Sequence, residues 1–134
     1  MSVPQVRVKD GVVLHPLTPA LIRLLAVTDQ AVRVLGRDLT VTCGREGHSV
    51  TDPHTRGEAI DIRTRDLPEG TIFTLVNWLR TALGPAWTVL YEVKEKPNGV
   101  LASMAYVNPD ASAAHVHIQP RKNTSWPPSP LVNA

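Results

Sequence analysis

Four side chains in this sequence have types and spacings suited to chemistry. His54 and Asp61 share the stretch Asp52-Pro53-His54-Thr55-Arg56-Gly57-Glu58-Ala59-Ile60-Asp61-Ile62-Arg63, and His115 and His117 alternate in His115-Val116-His117-Ile118-Gln119. Imidazole nitrogens and a carboxylate oxygen are ligands that zinc accepts. Three protein ligands leave one coordination position open, which is the catalytic rather than the structural pattern. A lone histidine or aspartate on a strand is more often plain surface, and a chain with five histidines will contain some His-x-His pairs by chance. The weight of these four therefore depends on the elements that position them.

Residues 57–64 read as a strand. A period of two puts Ile60 and Ile62 toward a core and Gly57, Ala59 and Asp61 on the opposite face, where two small residues leave room beside a carboxylate. His54 precedes this strand in a proline-containing turn that can aim its ring over the same face. The later run has the same logic: Val116 and Ile118 point inward, and His115 and His117 point away. Either of the late histidines can complete a three-ligand set with His54 and Asp61.

The pattern His54-x-x-Gly57-x-Ala59-x-Asp61 followed by His115-x-His117 resembles the metal signature of the D-alanyl-D-alanine carboxypeptidases and endolysin peptidases. These belong to a wider group with lysostaphin-type peptidases and hedgehog domains. The resemblance covers residues 39–119 and implies a zinc ion held by His54, Asp61 and His117. It gives His115 the catalytic role, with Glu92 as the rival acid/base. Val41-Thr42-Cys43-Gly44-Arg45 is similar to the family's Ser-Gly-Tyr-Arg segment, which implies that Arg45 binds substrate. The implied substrates are peptidoglycan peptides containing D-amino acids. Two positions depart from the pattern: Asp52 stands where the family usually has serine, and Ala114 where many members have an acidic residue.

At 134 residues, 43% of them hydrophobic, the length and composition fit one domain with a real core. A net charge of +2 and the lack of a basic-aromatic cluster argue against a nucleic-acid partner. Cys43 has no second cysteine to pair with and no visible thiolate partners for zinc, so it reads as a small buried side chain. No signal peptide and no membrane-spanning apolar run are visible, so the protein is expected to be made in the cytoplasm and delivered by other means to a cell wall or a virion.

The remaining elements follow from local signals. Residues 6–14 alternate around Asp10-Gly11 as a hairpin or edge strand. Thr18-Pro19 opens a helix that Gly36 ends, and residues 39–43 form a strand leading to Arg45. A second helix over residues 71–83 precedes a strand over 87–93, on which Thr88, Leu90 and Glu92 share a face. Residues 100–107 read as a further strand. His15 reads as surface, His48 as a bystander near His54, and Trp78 as packing.

The expected fold is α+β, a small, mainly antiparallel sheet with two main helices on one side, hedgehog-like or DD-peptidase-like. Residues 1–120 form the zinc peptidase domain. Residues 121–134 form an irregular Pro-rich tail that could contact phage or host proteins. The alternative is a non-catalytic metal-binding module of the same fold, in a phage particle or on a cell wall.

Overall fold

The computed structural model describes residues 3–46 and 52–121. His48 and the tail beyond Arg121 lie outside the described residues. Helix α1 (Pro19–Leu35) starts and stops where its caps dictate. The Thr18 hydroxyl accepts from the Leu21 N–H at 3.0 Å, and Gly36 turns left-handed at φ 67°. Its buried stripe includes Leu21, Leu24, Val27 and Val32. Helix α2 (Glu69–Leu83) begins two residues earlier than the sequence suggests, directly after Pro68, and buries Ile72, Leu75, Val76 and Leu79.

The strands are β1 (Val6–Val8), β2 (Leu39–Cys43), β3 (Ile60–Arg63), β4 (Trp87–Val93), β5 (Ala105–Val107) and β6 (His115–Pro120). They form one sheet in the order β1-β2-β3-β6-β4-β5. The sheet is mixed rather than mainly antiparallel. The central pairs β2–β3, β3–β6 and β6–β4 are antiparallel, but both outer strands, β1 on β2 and β5 on β4, run parallel to their neighbours. Parallel neighbours need crossovers rather than tight turns. Helix α1 makes the crossover from β1 to β2, and a 3-10 turn at Gly99–Ser103 lies in the one from β4 to β5. Of the hairpin or edge strand expected over residues 6–14, the edge strand β1 forms, and the expected strand over 100–107 is half helical turn.

Alternation divides the sheet cleanly. Leu39, Val41, Ile60, Ile62, Val89, Tyr91, Val116 and Ile118 join the helices' apolar stripes in one core, with Ile60, Ile62, Val116 and Ile118 fully buried. Each such side chain contributes about 1.5–3 kcal/mol by leaving water. Trp78 packs half-buried against this core. Among the described residues no helix packs on the opposite face of the sheet, which carries Asp61, Thr88, Leu90, Glu92, His115, His117 and Gln119. Strands β3 and β6, which hold Asp61 and the late histidines, are the two central ones. The chemistry thus stands on the most constrained backbone of the molecule.

Candidate metal centre

Register brings the site together. Asp61 on β3 lies opposite His117 on β6, and His115 lies between Arg63 of β3 and Glu92 of β4. His54 reaches the same place from the turn before β3. The Asp52 carboxylate accepts the His54 backbone N–H at 2.8 Å, and Gly57 closes the turn at φ +73°. The Thr18 hydroxyl that caps α1 also donates to the Gly57 carbonyl, which ties the turn to the helix. A Cβ on Gly57 would lie 2.7 Å from the Thr18 methyl and 3.0 Å from Arg45 Nη1. Gly57→Ala is therefore expected to cost about 1–3 kcal/mol, read as a lower denaturation midpoint, together with weaker zinc binding. An unchanged midpoint would show that the turn tolerates a side chain.

His54 Nε2, Asp61 Oδ1 and His117 Nδ1 form a triangle with sides of 3.3, 2.8 and 3.2 Å. Ligand atoms about 2.0–2.1 Å from a tetrahedral ion lie about 3.3 Å from one another. The three atoms thus already stand close to the spacing of one face of a zinc tetrahedron. His54 and Asp61 are buried, which suits a site held by packing rather than by flexible surface side chains. His117 Nε2 meets Gln119 Oε1 at 2.7 Å. A ring that donates from Nε2 leaves Nδ1 free as a ligand, so Gln119 fixes the tautomer the metal needs. Sequence reasoning missed this role for Gln119, although a step of two along β6 from His117 puts it on the same face.

His115 stands apart from the triangle. Its Nε2 is 2.8 Å from Glu92 Oε1 and 3.7 Å from Asp61 Oδ2, and its Nδ1 is 2.9 Å from the Ala113 carbonyl. Asn108 donates to the other Glu92 oxygen at 3.3 Å. The relay Asn108–Glu92–His115 holds the ring at the edge of a cleft of about 450 Å³, walled by His54, Asp61, His117, Leu90 and Tyr106. No family model, curated protein or solved structure matches the chain. The site must be read from its geometry.

Two expectations change. Arg45 does not line the cleft; its guanidinium donates to the Pro16 carbonyl and, at 3.2 Å, to the Thr55 carbonyl. It braces the His54 turn instead of facing a substrate. Cys43 is half-buried, and its sulfur stands near the site: one ligand atom each from Cys43, His54 and Asp61 lie within 4.8 Å of one another. The cause is an irregularity in β2. Val41 pairs with Ile62, yet Cys43 rather than Thr42 faces Asp61, so one extra residue carries the thiol to the carboxylate. Burial, then the Asp61 and Glu46 carboxylates, push the Cys43 thiol up, which makes it a poor nucleophile.

Charge at the centre is coupled. Burial works to raise the Asp61 carboxyl, but hydrogen bonds from His117 and His54 and nearby imidazole charge outweigh it and hold Asp61 well below the usual range. Burial works to lower His117, but the Asp61 hydrogen bond and charge, with Gln119, outweigh it and raise it. The raised His117 stabilises the metal-free fold below its unfolded value of about 6.5, and that contribution is lost as pH rises through the folded value. The depressed Asp61 contributes above about pH 4 and is lost only as pH falls through its folded value. Zinc must displace the His117 Nδ1 proton. Raising pH from about 6 to about 8 should therefore lower the metal-free Tm contribution from His117 and enlarge the zinc-induced Tm increment. A scanning calorimetry series showing a flat or shrinking increment would contradict this coupling.

Proposed function

We propose that this protein is a zinc-dependent peptidase that hydrolyses peptide bonds in peptidoglycan peptides containing D-amino acids, acting at a cell wall or from a virion. The observation that carries the reading is the triangle of His54 Nε2, Asp61 Oδ1 and His117 Nδ1 beside an open cleft, with the His115–Glu92 pair at its edge. The substrate class and a hedgehog-like or DD-peptidase-like fold are supported by the signature's resemblance to the peptidase family.

The residues divide the work. His54, Asp61 and His117 would hold the ion, and Gln119 fixes the His117 tautomer. Bound zinc supplies Lewis acidity, lowering the pKa of a water to about 7 and polarising the scissile carbonyl. His115 Nε2, held by Glu92 at the cleft edge, donates a hydrogen bond to the developing oxyanion or passes a proton to the leaving amine. Glu92 holds that ring and is itself held by Asn108. Thr88, Leu90 and Tyr106 on the cleft wall would contact the peptide on either side of the bond being cut.

Cys43 favours one other reading. If its sulfur were a fourth ligand, the site would be closed, as in a non-catalytic structural module. Cys43→Ala separates the two: it is expected to keep one zinc per chain and full turnover, whereas loss of zinc would mean a closed centre. Mass spectrometry of muropeptides released from purified peptidoglycan tests the function itself. Shortened or uncrosslinked stem peptides should form, vanish with a chelator and return with zinc. Intact muropeptides after incubation with the zinc-loaded protein would overturn the proposal.

A further inference from the structure

A second groove, of about 320 Å³, lies on the other side of Asp61 and His115, which wall both cavities. Three cations line it: Lys9 just past β1, Arg63 at the end of β3, and Arg65 two residues beyond. Several arginines elsewhere in the molecule are engaged, although among the described residues Arg37 and Arg121 are not. Arg7, Arg33 and Arg56 pair with Asp38, Asp29 and Glu58, and Arg23 and Arg80 donate to the Ala82 and Val89 carbonyls. Among the described residues, the side chains of Lys9, Arg63 and Arg65 have no ion pair or hydrogen bond. The one carboxylate among the described residues that lines the groove, Asp61, is already committed to the histidines.

We propose that this groove is an anion subsite that binds a carboxylate of the peptide substrate. The inference rests on the peptidase reading and names what that site prefers. Three uncompensated cations beside a dication repel one another until an anion arrives, and guanidinium groups match a carboxylate with paired hydrogen bonds. Arg63 is two residues from Asp61 on the same face of β3, a step of about 6.5–7 Å. One extended peptide residue spans about 3.3–3.6 Å. A substrate with its scissile carbonyl at the His54–Asp61–His117 triangle would thus place a carboxylate here from a residue one or two positions along. Both a free C-terminal α-carboxylate and a side-chain carboxylate at that position meet the requirement. Arg45, turned onto main-chain carbonyls, leaves this task to Arg63 and Arg65.

The test uses three short D-alanine-containing peptides made non-hydrolysable by a reduced scissile amide. One ends in a free carboxylate, one in an amide, and one in an amide with a glutamate side chain at the last residue. Calorimetric titration into the zinc-loaded protein should show at least one carboxylate peptide binding roughly tenfold more tightly than the neutral one. Which of the two does so identifies the source of the carboxylate. Arg63→Gln/Arg65→Gln should remove that preference while leaving zinc content and neutral-peptide binding unchanged. Arg65→Gln alone, at an exposed position, should remove part of it and serves if the double variant folds poorly. Equal binding of all three peptides, or a preference that survives both variants, would overturn the subsite. Failure of the peptidase reading shows separately, as hydrolysable versions of the same peptides left uncut by the wild-type protein.

Discussion

His117→Ala and His54→Ala are each expected to lose zinc and, with it, all measurable turnover. Each substitution removes one corner of the triangle and leaves a single imidazole and the Asp61 carboxylate, too few to hold the ion against water. The effect should exceed that of Gln119→Ala. Gln119 touches only the far nitrogen of His117, so its loss should weaken zinc binding by roughly 10–100-fold without changing the ligands. Metal analysis after gel filtration checks the series, with circular dichroism showing that each variant is folded. Stoichiometric zinc in both histidine variants would reject the ligand set.

His115→Ala should do the opposite: keep zinc and lose activity by roughly 100-fold or more, the scale of a lost acid/base or oxyanion partner. Its Nε2 lies against Glu92 Oε1 rather than within the triangle, and it is 3.7 Å from the outer oxygen of Asp61. Along β6 it stands about 6.5–7 Å from His117, so one ion need not take both rings. Glu92→Gln is the companion measurement. A smaller loss than in His115→Ala means that the carboxylate only holds the ring. Abolished turnover in Glu92→Gln with near-normal turnover in His115→Ala would make Glu92 the base. An empty site in His115→Ala would make His115 a ligand.

How far these positions are legible in the sequence depends on how local their causes are. Helix α1 was readable end to end because Thr18, Pro19 and Gly36 act on adjacent backbone. The outward placement of Asp61, Glu92, His115 and His117 was readable because strand alternation needs only the apolar neighbours Ile60, Ile62, Val116 and Ile118. The convergence of His54 on Asp61 was suggested by the turn at Pro53, but the Thr18 hydroxyl and the Arg45 guanidinium that secure the turn come from remote parts of the chain. The direction of the outer strands could not be read locally, because it follows from which crossovers pack on the sheet. The place of Cys43 was hidden for a related reason. A single irregular residue in β2 replaces Thr42 by Cys43 opposite Asp61, and nothing in the alternation of residues 39–43 announces it. The place of Arg45 away from the cleft was not legible either, because its partners, the Pro16 and Thr55 carbonyls, are set by tertiary structure.

The central claim is an open three-ligand centre of two imidazoles and one carboxylate. X-ray absorption at the zinc edge of the loaded wild-type protein tests it most directly. The account predicts a first shell of nitrogen and oxygen alone at about 2.0–2.1 Å, with imidazole scattering from two rings. A sulfur scatterer at about 2.3 Å would place Cys43 on the ion, close the site and contradict the catalytic reading.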